Sequence, residues 1–521
     1  MNGFLVGIES LLDPIVMLCM LLGLGLGLLV GAFPGITATM AVALAAGFTM
    51  TLEPVQGLAV LLTIYVAANF GDRVPSILVN TPGTPASIAT TFDGYPMAKQ
   101  GRAGLALTIS AFGSAIGILA SLVLFAAFAI PLATIANRLF GPAEMFALVV
   151  FGLTIMVSIS SKSILKGLIA GVFGLAIGAV GTYAITNDAR FTFGSTDLRD
   201  GFSFIAVIIG LFGIAELFDQ LLTHRKNRIK PISSMGRWWP NKSELKQMRK
   251  PMLVSGAVGL GVGLVPAAGG DIAGMIGWDR AKAVSKHPEE FGKGSIEGIT
   301  ASDTASSATL GGSLTTTMAL GVPGDSVMAV MIGSMMIWGI NPGPGLFTNR
   351  PDLVVSIVGI MLIATLLSLG ISLVRMKGMV KLLDVPNHYL WATILVFCII
   401  GTYATTNNFV TVLMMLAFGV IGVVLKRTGF PAGPVVLGML LGPLAEKELG
   451  RALLIAQGDF GAILGRPITF GLLLLAAVSL AVPLIKRVRA DRKSRSTAAS
   501  DTTSVDSDLS AADEQVKAGK Q

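Results

Sequence analysis

Long apolar runs separated by short polar ones set the rhythm of this chain. Runs occupy residues 15–33, 40–50, 55–68, 103–130, 143–157, 164–182, 202–222, 252–265, 353–374, 389–400, 409–425 and 467–485. At roughly 20 residues per bilayer crossing, with allowance for tilt, most of them predict transmembrane helices. Glu53-Pro54 marks a helix boundary, because proline disfavours the α conformation in the residue before it. Within the apolar stretches two places are interrupted rather than ended. The first is Gly31-Ala32-Phe33-Pro34-Gly35-Ile36-Thr37 and the second Asn80-Thr81-Pro82-Gly83-Thr84-Pro85. Proline removes a helix donor and clashes with the preceding turn, and glycine accepts backbone angles that other residues resist. Non-helical backbone at membrane depth survives only inside protein or beside water. The freed N–H groups, with the hydroxyls of Thr81, Thr84 and Ser87, therefore point at a polar solute. Asp93-Gly94-Tyr95-Pro96 predicts a turn.

The second half of the chain echoes the first. Gly263-Leu264-Val265-Pro266 follows the pattern of residues 31–34, and Leu320-Gly321-Val322-Pro323-Gly324-Asp325-Ser326 that of residues 79–85. Gly401-Thr402-Tyr403-Ala404 repeats Gly181-Thr182-Tyr183-Ala184. The offsets are 266 − 34 = 232, 323 − 82 = 241 and 401 − 181 = 220, in the same order along the chain. This divides the chain into a first transmembrane repeat at 1–222, a basic cytoplasmic linker at 223–250 and a second repeat at 251–441. A connection with a final transmembrane helix follows at 442–487, then a tail at 488–521. Lys162 and Lys166 occupy a loop corresponding to that of Arg375, Lys377 and Lys381, which favours parallel halves by the positive-inside rule. A site framed by opposing broken helices favours inverted ones. The expected fold class is an all-α polytopic membrane protein of two related halves, arranged as inverted repeats, with broken helices or re-entrant hairpins at the membrane midplane.

Composition agrees with that reading. Of 521 residues 53% are hydrophobic and 13% charged, against about 25% charged in soluble domains. The 63 glycines suit close helix packing in lipid. The net charge of +8 gathers at 224–250 and 486–495, beside hydrophobic runs, as in cytoplasmic loops rather than a nucleic-acid surface. Trp238-Trp239 suits the headgroup level or packing against the cytoplasmic face. Residues 1–14 carry Glu9 and Asp13 but no Lys or Arg, so the first apolar run reads as a retained helix rather than a signal peptide. The Ser/Thr/Ala/Asp-rich tail lacks the aliphatic content to fold alone. Two cysteines and three scattered histidines make no disulfide framework and no metal spacing.

The candidate chemistry lies at the breaks. Helix N-termini there offer partial positive charge and free donors to an oxyanion, without a costly buried Lys or Arg. The candidate substrate-binding residues are Asn80, Thr81, Pro82, Gly83, Thr84, Ser87, Pro34, Gly35, Thr37, Pro323, Gly324 and Ser326. Arg73 joins them as a fork for a carboxylate, or else pins the broken segment by pairing with Asp72. Asp72, Asp303 and Asp325 are candidates for a coupling ion or proton, since carboxylates and hydroxyls are hard ligands suited to a hard cation. The hydroxyl ladder from Thr300 to Thr317 serves helix contacts more readily than ligands. Lys99 and Arg102 either anchor to lipid headgroups or draw anions to a mouth. No nucleophile–His–acid arrangement, phosphate loop, metal motif or cofactor signature is present in the sequence, so an embedded enzyme acting on a lipid-linked substrate finds no residues to carry it.

Several of these motifs together resemble the large membrane subunit of tripartite tricarboxylate transporters, the TctA type. They are Asn80-Thr81-Pro82-Gly83-Thr84 with Thr91-Phe92-Asp93-Gly94-Tyr95-Pro96-Met97-Ala98, Arg190-Phe191-Thr192-Phe193-Gly194, and the elements around Ser285-Lys286, Pro288-Glu289 and Phe291-Gly292-Lys293-Gly294. Leu320-Gly321-Val322-Pro323-Gly324 and residues 434–442 complete the set, so that the likeness runs from about Leu22 to Ile485. The resemblance implies a bacterial inner-membrane, multi-pass permease that works with a small four-helix membrane subunit and a periplasmic solute-binding protein. It implies uptake of small-molecule carboxylates, tricarboxylate or dicarboxylate, coupled to Na+ or H+. A stand-alone carrier of the same fold is the alternative. The chain departs from the family pattern where Asp72-Arg73 replaces small residues, Ser306-Ser307 an Asn pair, and Asp325 a small residue.

Overall fold

The computed structural model describes residues 2–482 except 34, 161–162, 184–185, 187, 223–231, 233, 267 and 383–386. Pro34, Lys162, part of the basic linker and the tail from 483 onward therefore lie outside the described residues. What is described is helical almost throughout. The first half contains α1 (Asn2–Leu11), α2 (Pro14–Ala32), α3 (Ala38–Thr49), α4 (Pro54–Gly71), α5 (Arg73–Leu78), α6 (Ile88–Met97), α7 (Ala103–Leu139), α8 (Pro142–Ser160) and α9 (Ile164–Gly178). A two-residue hairpin, β1 (Gly181–Thr182) with β2 (Ala189–Arg190), precedes α10 (Phe204–Ile208) and α11 (Ala215–Leu222), which a π-turn joins into one run. The second half contains α12 (Lys242–Gly263), α13 (Gly269–Val284), α14 (Ile296–Leu320), α15 (Ser326–Ile337), α16 (Leu346–Asn349), α17 (Pro351–Leu382), α18 (Asn387–Thr406), α19 (Phe409–Thr428), α20 (Ala432–Ile455), α21 (Phe460–Leu464) and α22 (Pro467–Val482). Among the described residues six helical runs are long and apolar enough to cross a membrane. They are Pro14–Ala32, Pro54–Leu78, Pro85–Ala136, Phe204–Leu222, Pro351–Val374 and Phe409–Thr428. Leucines and valines exposed along them, such as Leu18, Leu22, Val123 and Leu366, supply the lipid-facing surface.

Local chemistry explains where the helices start. The Asp13 carboxylate accepts from the Ile15 N–H at 2.8 Å, with Pro14 in the first turn of α2. Thr37 caps α3, Asn241 and Glu244 close a reciprocal capping box on α12, and Ser295 caps α14. Gly321 and Gly429 end α14 and α19 in left-handed conformation, at φ 72° and 76°. The helices then approach through glycine. A Cβ on Gly71 would lie 2.5 Å from the Leu28 carbonyl oxygen and 3.0 Å from the Gly31 Cα, so α2 and α4 touch backbone to backbone. Gly263 and Gly312 do the same for α12 and α14. α14 is the centre of the molecule: all but its two ends are buried, with α7, α12 and α13 packed against it. Correspondingly α17 packs on α4, and the pairs α9 with α20 and the π-turn with α19 lie to the side.

Three local expectations are corrected. Residues 93–96 are not a turn but lie inside α6, with Pro96 in the helix. The Asp93 carboxylate is taken by distant donors, described below, and so is not free to close a local turn. Gly181-Thr182 and Gly401-Thr402 share a sequence but not a structure: the first pair is a strand after α9, the second lies within α18. Gly, Thr and Asn are weak helix formers, and their neighbours decide. Gly181 holds φ 119° against Gly201, whereas Gly401 packs against Phe48 inside a helix. That third match is therefore between a strand and a helix, while each Pro-Gly break follows a described helix, α5 in one case and α14 in the other. Finally α20 runs unbroken from Ala432 to Ile455, across the 441/442 boundary drawn between the second repeat and the connection.

Candidate functional site

The break after α5 is a true interruption. Val79 ends the helix, Asn80 takes φ 54°, and regular helix resumes only after Pro85. Gly83 is needed there because a Cβ would sit 2.5 Å from the Gly31 carbonyl oxygen and 2.8 Å from the Asp72 Cα. The break thus folds back onto the ends of α2 and α4. Thr84 and Ser87 brace it: the Ser87 hydroxyl donates to the Thr84 carbonyl at 2.9 Å, and the Thr84 hydroxyl donates to the Asp72 carboxylate. The run is interrupted again after α14. Gly321 ends the helix, a Cβ on Gly324 would lie 2.3 Å from the Ser313 Cα, and Asp325 caps α15 through the Met328 N–H at 2.8 Å.

Arg73 joins the two halves. It is the largest fully buried side chain, at 1% exposure. Its Nη2 donates to Asn69 Oδ1 and to Ser306 Oγ, each at 2.9 Å. Nη1 donates to Thr90 Oγ1 at 3.1 Å and lies 3.3 Å from Asp303 Oδ1, while Nε lies 3.3 Å from Asp72 Oδ1. The Ala86 carbonyl and the Ser307 hydroxyl complete the surroundings at 3.4 Å. Thr90 also donates to Asp303. Two carboxylates and one guanidinium are thus buried together, and the neutral partners are all oxygens.

A second cluster lies along the same helices. Tyr65 donates its hydroxyl to the Asp325 carboxylate. Tyr65, Asn69 and Arg73 stand at i, i+4 and i+8 and form one stripe on the α4–α5 run. Moving up that stripe, the partners on the second half run downward, from Asp325 through Ser307 to Ser306 and Asp303. The α4–α5 run and α14 therefore run antiparallel past each other. Asp325 belongs to the Tyr65 end and Asp72 and Asp303 to the Arg73 end.

The upstream breaks lie elsewhere. Gly35, at φ 94°, packs on the Gln220 side chain. Thr37 lines a cavity of about 480 Å³ with Leu211, Glu216, Lys426 and Phe430, where Lys426 bonds Glu216 at 2.6 Å. Pro34 falls outside the described residues. Ala86, just past the first Pro-Gly break, packs on Gly270 and Gly274 of α13, and α15, just past the second, packs on α3.

The sequence reading missed Tyr65, Asn69 and Thr90. A polar residue every fourth position along an apolar helix was the signal for the first two. Asp93 was missed as an anchor. Its Oδ1 accepts from the backbone N–H groups of Gly292, Gly294 and Ser295 at 2.8, 3.0 and 2.8 Å, and its Oδ2 from Trp278 Nε1 at 2.7 Å. Lys99 lies over the Tyr95 ring and Arg102 lies 3.8 Å from Glu244. Among the described residues no cluster of His, Cys, Asp and Glu is arranged to hold a metal ion.

Residues 17–437 match the family model described as tripartite tricarboxylate transporter TctA family. A protein of Agrobacterium vitis described as an uncharacterized 52.8 kDa protein in the TAR-I ttuC' 3' region is 36% identical over 488 residues, 93% of this chain and 96% of its own length. A second from the same organism, described as an uncharacterized protein in the TAR-II ttuC' 3' region, is 35% identical over 231 residues, 44% of this chain and 96% of its own. No solved structure matches the chain.

Proposed function

We propose that this chain, which belongs to the tripartite tricarboxylate transporter TctA family, is the permease subunit that carries organic carboxylates of the dicarboxylate or tricarboxylate class across a bacterial inner membrane. In this reading it receives its solute from a periplasmic binding protein, beside a small four-helix membrane subunit, and couples passage to a cation gradient, Na+ or H+. What supports the reading is the pair of breaks after α5 and after α14, with non-helical backbone buried at Gly83 and Thr84 and at residues 321–324. Asn80, Thr81, Pro82, Gly83, Thr84 and Ser87 on one side, and Pro323, Gly324 and Ser326 on the other, are the proposed contacts to the anion; Gly35 and Thr37, from the region of Gln220 and Lys426, and Pro34 are proposed as further contacts. Asp72, Asp303 and Asp325 are the proposed acidic groups of the coupling step.

The two halves are proposed to be inverted repeats. Glycine contacts at Gly31 with Gly71 and at Gly263 with Gly312 recur at equivalent positions, and the equivalent runs α4–α5 and α14 pass antiparallel. The test of the function is uptake of a panel of radiolabelled carboxylates by cells carrying the chain with its neighbouring small subunit and binding protein. Accumulation of a di- or tricarboxylate that requires the binding protein is the expected result. Failure of every carboxylate in the panel, with all three proteins present in the membrane and periplasm, refutes the reading.

A further inference from the structure

The Arg73 side chain sits in surroundings chemically suited to a metal cation. Its guanidinium is bounded by a carboxylate oxygen of Asp303, the hydroxyls of Thr90 and Ser306, the amide oxygen of Asn69 and the carbonyl of Ala86, all between 2.9 and 3.4 Å. Carboxylate, hydroxyl and carbonyl oxygens converging from several chain segments are the donor set of a hard cation. Here the positive charge is covalently attached and fully buried. A guanidinium offers five donors, and those of Arg73 face Asp72, Asp303 and the neutral oxygens around them. Its Nη donors are thus turned to protein oxygens, while Nε lies 3.3 Å from Asp72 Oδ1 without a hydrogen bond.

We propose that Arg73 is a resident cation: it fills the oxygen cage between Asp72 and Asp303, and the protein consequently binds no sodium ion there. This deepens the transport reading and rests on it only for the consequence that a coupling sodium ion, if one is used, is not held between Asp72 and Asp303. Energetically the arrangement is coherent. A buried carboxylate without a counter-charge is costly, and a tethered guanidinium shared between Asp72 and Asp303 balances one of the two charges without the entropy loss of capturing a free ion.

The test uses purified full-length protein and thermal melting in sodium chloride against choline chloride at equal ionic strength. The wild type is expected to melt at the same temperature in both salts. Arg73→Ala uncovers the two carboxylates and is expected to melt lower in choline, then to regain stability saturably as sodium is added. Arg73→Lys, which keeps a tethered cation, is expected to be indifferent to sodium. The double variant Arg73→Ala, Asp303→Asn is expected to lose the sodium response. A saturable sodium-specific rise in the wild type that Asp303→Asn removes overturns the proposal, and so does a folded Arg73→Ala that ignores sodium. If Arg73→Ala does not fold, the wild type and Arg73→Lys decide: sodium indifference in both supports the tethered cation, and a sodium response in either that Asp303→Asn removes refutes it. None of these readings depends on uptake, so failure of the carboxylate panel and failure of this proposal are separate results.

Discussion

Asp93 is a point at which the two halves are bolted together, and its replacement tests the geometry directly. The buried carboxylate on α6 collects four donors: three backbone N–H groups from the loop before α14, and the indole N–H of Trp278 on α13. In Asp93→Ala, water can reach Gly292, which is exposed, and Gly294, which is partly so. Water can also reach the half-buried Trp278 indole, but the Ser295 N–H is buried at 2% exposure and is left without a partner. At about 1–3 kcal/mol for the one buried donor left unsatisfied, and about 1–2 kcal/mol for the three hydrogen bonds exchanged for water, the variant is expected to lose roughly 2–5 kcal/mol of stability. Asp93→Asn keeps the shape and one acceptor oxygen but loses the charge, and it turns an NH₂ toward either the backbone donors or the indole. It is expected to lose about 1–2 kcal/mol, because charge-assisted hydrogen bonds are roughly twice as strong as neutral ones. Melting of the purified protein in one detergent gives the order wild type, Asp93→Asn, Asp93→Ala. Limited proteolysis at 285–294 should accelerate in the same order. Co-melting of Asp93→Ala with the wild type, or equal losses in the two variants, would refute the anchor.

Four further outcomes are expected. Tyr65→Phe removes the hydroxyl donor to the buried Asp325 and is expected to cost about 1.5–3 kcal/mol by thermal or denaturant unfolding; a loss too small to measure means Asp325 does not rely on Tyr65. Gly174→Ala places a Cβ 2.1 Å from the Val435 carbonyl oxygen, so α9 and α20 must separate, at roughly 1–3 kcal/mol; unchanged melting refutes that contact. Pro82→Ala is expected to abolish carboxylate uptake at normal membrane levels, read as transport per folded protein, while Gly83→Leu should fail earlier, at folding, because of the Gly31 and Asp72 backbones. Normal uptake by Pro82→Ala removes the break from the transport path. For the inverted arrangement, Glu53→Cys and Glu289→Cys occupy the exposed connections α3–α4 and α13–α14 and are expected to react with an impermeant thiol reagent from opposite faces of the membrane; labelling from one face sinks it.

The chain's order of apolar runs, its helix starts and its two Pro-Gly interruptions were legible without coordinates. These follow from local rules: a proline without a donor, a glycine free to adopt left-handed angles, a Ser, Thr, Asp or Asn able to cap the next turn. The same rules found the segments that carry Arg73, Asp303 and Asp325. They could not say which charge meets which, since Arg73 and Asp303 are 230 positions apart (303 − 73) and become neighbours only where α4–α5 and α14 pass each other. The tertiary structure alone decided that Asp93 serves a distant loop rather than its own turn. It also decided that Gly181-Thr182 is a strand while Gly401-Thr402 is helix, and that Tyr65 rather than solvent holds Asp325. Covalent neighbours settle the backbone where the residue type leaves little choice. Buried polar groups take whatever partner packing delivers, because an unpaired one costs more than a change of local conformation.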